Sequence, residues 1–223
     1  MTPVGFKACG LTRPQDADAA ARVGASHAGV VFAGGPRHQS PTQAAAVLAA
    51  LPAHVTGVGV FGRQSVDEIV ATLRVSGARV AQLHADPTVD DVEAVRRAGA
   101  AEVWAVVRVA GAQVPETVAD LARAADAIVF DAKVDGRLGG AGVALPWAAL
   151  AQAIAPWRRG RRIVLAGGLT PTNVGTAIRV LTPDIVDVSS GIESSPGIKD
   201  HDRLRAFADE VRGAASLSLL DAP

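Results

Sequence analysis

The residues best placed for chemistry are one thiol, two carboxylates and two glycine turns, each at the end of a short apolar run. Cys9 is the single cysteine and stands two residues after Lys7 in GFKACG. On a strand the two side chains share a face. A neighbouring ammonium favours thiolate and would lower the thiol from its usual value of about 8.5. The plain alternative is a small buried hydrophobe. Asp131 follows Ala127-Ile128-Val129-Phe130, where a carboxylate is costly to bury unless it is used or paired; Lys133 is near enough in sequence to pair with it. Asp187 interrupts the run Ile185–Val188. The runs Ile163–Ala166 and Ile185–Val188 end in Gly167-Gly168 and Ser189-Ser190-Gly191. Such turns at neighbouring strand ends leave backbone N–H groups uncovered, and with a helix start beside them they form a cradle for a phosphate. The alternative is two tight turns that need glycine for positive φ.

Other candidates stand at other strand ends. Arg37 and His38 lie in the long loop 33–40. Arg37 has the fork that suits a carboxylate, or it is simply solvated. His84, in Gln82-Leu83-His84-Ala85-Asp86, is a proton carrier, a metal ligand or a satisfied histidine. No second histidine stands at ligand spacing, which ranks metal last. Arg63 and Arg108 close two further runs. The run Gly136-Arg137-Leu138-Gly139-Gly140-Ala141-Gly142 is glycine-rich enough to fold over a ligand as a lid. A thiol, a separate carboxyl and a phosphate cradle together suggest acid–base chemistry on a phosphorylated small molecule.

The elements that must position these groups alternate regularly. Strands are predicted at about 4–9, 28–32, 55–61, 79–83, 102–108, 127–132, 162–166 and 185–189. Helices are predicted near 15–23, 41–51, 66–76, 89–98, 115–124, 146–154, 172–181 and 200–212. Ser40-Pro41, Ser65 and Thr170-Pro171-Thr172 mark helix starts. Strands this apolar are buried on both faces, as in a parallel sheet covered by helices. Repeated βα units with no second kind of segment imply an α/β fold closed as a single-domain (β/α)8 TIM barrel. Residues 1–213 form that domain, and 214–223, where periodicity fades, are expected as a flexible tail. In such a barrel the site is built at the C-terminal strand ends, and phosphate sits after the seventh and eighth.

Composition agrees. Hydrophobic residues make up 49 % of the 223, enough for a large core. Formal net charge is +0 and no basic run appears, which argues against nucleic acid or a membrane surface as partner. One cysteine allows no internal disulfide and fits a reducing cytoplasm. The start MTPVGFKACG has no apolar stretch of a signal peptide. No run approaches the roughly 18 residues of a membrane span.

In order and spacing, KACGLT at 7–12, PRHQSP at 36–41, VGVF at 58–61, QLH at 82–84, FDAK at 130–133, GGAG at 139–142, AGGLTPTNV at 166–174 and VDVSSGIE at 186–193 resemble phosphoribosylanthranilate isomerase, an enzyme family of tryptophan biosynthesis. The resemblance implies a (β/α)8 barrel without cofactor or metal. It implies conversion of N-(5-phosphoribosyl)anthranilate to 1-(2-carboxyphenylamino)-1-deoxyribulose 5-phosphate, an Amadori rearrangement. By that resemblance Asp131 is the general acid and Cys9 the general base. Arg37 would hold the anthranilate carboxylate and Asp187 a sugar hydroxyl, with Lys7 and His84 also at the substrate. Gly142, Gly167, Gly168, Ser190 and Gly191 would hold phosphate. An acid that must be protonated and a base that must be ionised need pKa values pushed apart. Members of the family occur as monomers or homodimers.

The chain departs from the family at three places. GGTGK-aromatic-Asp-Trp becomes Gly139-Gly140-Ala141-Gly142-Val143-Ala144-Leu145-Pro146-Trp147, the asparagine after VGVF-x becomes Arg63, and the glycine after QLH becomes Ala85. Two other readings stay open on sequence alone. One is an isomerase that also takes the aminoimidazole substrate of the histidine pathway, although related barrels use an aspartate where this chain has Cys9. The other is a catalytically weak barrel retained as a binding partner, motivated by the altered Ala141–Pro146 loop.

Overall fold

Each short apolar run of the sequence is a strand, and each alanine-rich run after it is a helix. The structure is a computed structural model and describes residues 4–111, 113–132, 146–158 and 160–220. In chain order the elements are β1 (Gly5–Ala8), α1 (Pro14–Arg22), β2 (His27–Val31), α2 (Pro41–Leu48), β3 (Thr56–Phe61), α3 (Val66–Ser76), β4 (Val80–Leu83) and α4 (Val89–Arg97). There follow β5 (Glu102–Val109), α5 (Val118–Ala124), β6 (Ala127–Ala132), α6 (Trp147–Ile154), β7 (Arg162–Leu165), α7 (Val174–Leu181), β8 (Ile185–Val188) and α8 (His201–Leu220). Neighbouring strands pair in parallel around the ring, and β8 pairs with β1 to close it, as predicted. That last register sets Lys7 opposite Asp187.

Side-chain alternation divides two apolar layers. Phe6, Ala8, Leu83, Phe130, Leu165 and Val186 point outward and pack with helix residues such as Ile69, Leu150, Ile178 and Phe207. Val58, Val80, Trp104, Val106, Val129, Val164 and Ile185 point inward and fill the barrel. With period two along a strand, the inner positions just beyond this filling fall on residues 7, 9, 82, 84, 108, 131 and 187. The inner apolar packing therefore stops where the polar residues begin, at the C-terminal end of the strands.

Helix starts follow local chemistry. The side chains of Ser40, Ser65 and Thr88 each accept from the backbone N–H three residues on, and their own backbone N–H groups donate in return to that residue's side-chain oxygen. The third marker predicted from sequence behaves differently. Thr170-Pro171 is a turn in which Asn173 Oδ1 accepts from Thr170 N at 2.8 Å, and α7 begins only at Val174. Two further features were not predicted. A hairpin, β9 (Glu193–Ser195) with β10 (Ile198–Lys199), is inserted after β8. The last helix continues to Leu220, where periodicity alone had ended it at 212.

Candidate active site

At the C-terminal mouth, the innermost contact is an ion pair. Lys7 Nζ donates to Asp187 Oδ2 at 2.9 Å, with Lys7 fully buried and Asp187 nearly so. Burial alone would lower the Lys7 ammonium, but the Asp187 carboxylate and the Cys9 sulfur outweigh it and hold its pKa above the ordinary value. Cys9 follows β1 and is buried. Burial pushes its thiol up, Lys7 pulls it down, Asp187 pushes it up again, and the net is above the ordinary thiol. The sequence had Lys7 lowering the Cys9 pKa; that contribution is present, but it loses to desolvation and to the carboxylate that Lys7 already serves.

Across the mouth from β1 stand Asp131, on β6, and His84, just after β4. His84 Nε2 and Asp131 Oδ2 are 3.6 Å apart. Burial, then Lys7 and Arg108, pulls the His84 pKa down to about 4, so the ring is neutral near pH 7. Both ring nitrogens of His84, Gln82 Oε1 and Asp187 Oδ1 are buried and make no hydrogen bond among the described residues. Buried polar atoms in folded chains normally have partners. This set, on β4, just after it and on β8, is mostly acceptors and suits a ligand that brings hydroxyl donors.

The loop after β2 brings Arg37 to the same side. Its Nε and Nη2 donate to Glu193 Oε1 and Oε2 at 2.8 and 2.6 Å. Glu193 also receives Lys199 Nζ at 2.8 Å, and Lys199 Nζ reaches the Cys9 carbonyl at 2.5 Å. Burial would raise the Glu193 carboxyl, but Arg37 and Lys199 hold it below its ordinary value. Arg37 is thus partly buried and held by a carboxylate rather than freely solvated.

The two glycine turns meet. Gly167 and Gly168 have φ of 89° and 64°, the left-handed region that glycine enters without strain. A Cβ on Gly191 would come 2.0 Å from the Leu169 carbonyl oxygen, so the loops after β7 and β8 pack backbone against backbone. Ser190 opens a single 3-10 turn, Ser190–Ile192, beside them. Lys133, the run 136–142 with Gly142, and the altered loop up to Leu145 lie outside the described residues.

The structure therefore brings Lys7, Cys9, His84, Asp131 and Asp187 to the inner mouth, with Arg37 on its rim. His38 and Arg63 do not join them: His38 is at the surface of its loop and Arg63 is exposed. Arg108 pairs with Asp86 at the end of β4. Gln64 Oε1 accepts from Gly62 N at 2.7 Å, and Gln64 Nε2 donates to the Phe32 carbonyl at 2.7 Å, tying the segment that departs from the family pattern to the end of β2. Sequence reasoning missed Gln82, Gly29, Glu193 and Lys199. Gln82 and Glu193 sit inside quoted motifs, whereas Lys199 had no local signal. Among the described residues no group of three or more His, Cys, Asp or Glu side chains is arranged to hold a metal.

Comparison with known proteins agrees with this geometry. The family model for N-(5'-phosphoribosyl)anthranilate (PRA) isomerase matches residues 6–210. An N-(5'-phosphoribosyl)anthranilate isomerase of Pseudomonas fluorescens (strain SBW25) is 40 % identical over 216 residues, covering 96 % of this chain and 99 % of the relative. The crystal structure of phosphoribosyl anthranilate isomerase from Thermus thermophilus superposes with a TM-score of 0.83 at 35 % identity, covering 96 % of this chain and 100 % of that one. A phosphoribosyl anthranilate isomerase in complex with reduced 1-(o-carboxyphenylamino)-1-deoxyribulose 5-phosphate superposes with a TM-score of 0.80 at 31 % identity, covering 94 % and 99 %. The chain belongs to the N-(5'-phosphoribosyl)anthranilate isomerase family.

Proposed function

We propose that the chain converts N-(5-phosphoribosyl)anthranilate to 1-(2-carboxyphenylamino)-1-deoxyribulose 5-phosphate in tryptophan biosynthesis, with Asp131 as acid and Cys9 as base. The observation that carries the reading is the pair of opposed groups, a thiol beside Lys7 on one side of the mouth and a carboxyl beside a neutral imidazole on the other. Asp131 gives its proton to the furanose ring oxygen while the anilino nitrogen lone pair expels it, breaking the C1–O bond and leaving a Schiff base. Cys9 then removes the C2 proton. The C–H electron pair forms the C1=C2 bond, and the imine nitrogen recovers its lone pair. The resulting enolamine tautomerises to the ketone.

The pKa directions serve this division. An imidazolium beside Asp131 would favour its ionised form, and the low pKa of His84 removes that cation. The Cys9 thiol is high in the unliganded site partly because Asp187 repels its anion. A sugar hydroxyl donating to Asp187 Oδ1 would draw charge from that carboxylate and leave Lys7 to stabilise a thiolate. Arg37 takes the anthranilate carboxylate, and the backbone at Gly142, Gly167-Gly168 and Ser190-Gly191 takes the phosphate. A base that must remain a free thiol suits a reducing, cytoplasmic setting.

Steady-state kinetics of Cys9→Ala and Asp131→Asn test the assignment. Each is expected to lower kcat by at least about a hundredfold with an unchanged circular dichroism spectrum. Near-full turnover in either variant removes the role given to that residue.

A further inference from the structure

The rim of the mouth is organised by a carboxylate that no step of the reaction uses. Glu193 is buried at 6 % exposure and accepts four hydrogen bonds: Arg37 Nε, Lys199 Nζ and Gly197 N reach Oε1 at 2.8, 2.8 and 3.2 Å, and Arg37 Nη2 reaches Oε2 at 2.6 Å. Lys199, itself buried, donates onward to the Cys9 carbonyl at 2.5 Å and the Ser189 carbonyl at 3.3 Å. One buried cluster thus touches the loop that carries Arg37, the strand end that carries the base, and the turn beside the glycine cradle. Its residues come from β9 and β10, the hairpin inserted after β8.

The way Glu193 holds Arg37 matters. A guanidinium has five N–H groups in a fixed fork. Glu193 takes the side-on edge, formed by Nε and Nη2. Both protons of Nη1 and the second of Nη2 remain, and one from each nitrogen forms the end-on edge, which can grip another carboxylate with two parallel bonds. Arg37 can therefore be fixed and still receive a ligand, and its side chain keeps 18 % exposure. Holding the stem and one edge removes rotamer freedom before binding, which is the general route to affinity through preorganisation.

We propose that Glu193 is a positioning residue for substrate recognition: it clamps Arg37 by the side-on edge so that the end-on edge meets the aromatic carboxylate of the substrate, and through Lys199 it fixes that grip relative to the Cys9 strand end. This rests on the role given above to Arg37. An ion pair that merely stabilises the fold would move melting temperature and leave discrimination for the carboxylate untouched.

The test compares Glu193→Gln with wild type on N-(5-phosphoribosyl)anthranilate and on the N-(5-phosphoribosyl)aniline analogue, which lacks the carboxyl. The expected result is a KM for the anthranilate raised about tenfold with kcat within about threefold, and aniline kinetics within about twofold of wild type. In an Arg37→Met background, Glu193→Gln should add less than about twofold to the loss, because residues acting through one another are not additive. An anthranilate KM within twofold of wild type overturns the proposal, as do equal losses on both substrates or losses that multiply in the double variant. An Arg37→Met single variant with an unchanged anthranilate KM instead overturns the carboxylate role of Arg37. If Glu193→Gln melts without a cooperative transition, Glu193→Asp, which retains the charge and withdraws it from the guanidinium, supplies the same comparison.

Discussion

Gly29 on β2 leaves the space that the Cys9 sulfur occupies. A Cβ at Gly29 would lie 2.9 Å from Cys9 Sγ, 3.0 Å from Lys7 Cε and 3.2 Å from Cys9 Cα. The glycine is therefore the wall of the thiol's seat, and its value is the side chain it lacks. Gly29→Ala is expected to turn or push the sulfur aside. We expect kcat to fall about tenfold to a hundredfold, the order associated with misplacing a reacting atom by an ångström. Overpacking should lower stability by about 1–3 kcal/mol. Unaltered turnover in the alanine variant, with the melt recorded alongside, would show that the sulfur position is not limiting.

The Lys7–Asp187 pair is expected to be costly to break from one side. Lys7→Met leaves a buried carboxylate without its cation, and such a loss typically destabilises by about 3–5 kcal/mol. The double variant Lys7→Met, Asp187→Leu should recover most of that stability while remaining inactive, because matched removal of a buried pair is close to neutral. Urea denaturation of the three proteins checks the ordering. A double variant as unstable as the single would contradict it.

Two buried histidines give stability a definite pH dependence. His84 and His27 both have pKa values pulled down to about 4, by burial first and then by neighbouring cations. His27 lies at the opposite end of the barrel, bonded through Nδ1 to Ser26 Oγ at 2.9 Å with its ring 5.1 Å from that of Trp104. Above pH 6.5 each ring is neutral whether folded or not, and neither contributes. Between pH 6.5 and about 4.5 the unfolded chain binds protons that the native chain refuses. Stability should then fall with pH by up to about 1.4 kcal/mol per unit for each histidine. Below that range the carboxylates held low by their partners, Asp16 and Glu193 among them, lose their own contribution. Urea midpoints at pH 7, 6 and 5 should drop for wild type and stay nearly level for His27→Gln, His84→Gln. An equal slope in that double variant would assign the effect to other groups.

Cys9 should alkylate slowly at neutral pH. Its thiol stands above the ordinary thiol value because burial and Asp187 outweigh Lys7. The iodoacetamide rate, which follows the thiolate, is expected to be low at pH 7 and to rise above pH 9. Asp187→Asn removes the carboxylate that raises the thiol, so the rise should move to lower pH. Rapid alkylation at pH 7 in the unliganded protein would overturn this ordering.

The sequence by itself determined the repeat, and with it the barrel. Alternating residues of β4, β5 and β6 carry Val80, Trp104 and Val106, and Val129 on one face, and that periodicity is local. Helix starts were legible for the same reason: Ser40 and Ser65 act within three residues of themselves. The candidate base, acid and cradle were visible too, because Cys9, Asp131 and the glycines break apolar runs where a strand must end. Thr170 misled because proline and threonine serve a turn as readily as a cap.

Tertiary structure decided the charges and the partners. That Lys7 belongs to Asp187, that Arg37 belongs to Glu193, and that Lys199 reaches the Cys9 carbonyl are facts about residues 180, 156 and 190 positions apart. No periodicity of 2 or 3.6 encodes such contacts; they exist only once the eighth strand closes on the first. The direction of the Cys9 pKa depends on how much water is excluded and on which carboxylate stands behind the lysine. Both are properties of the assembled mouth rather than of the stretch GFKACG.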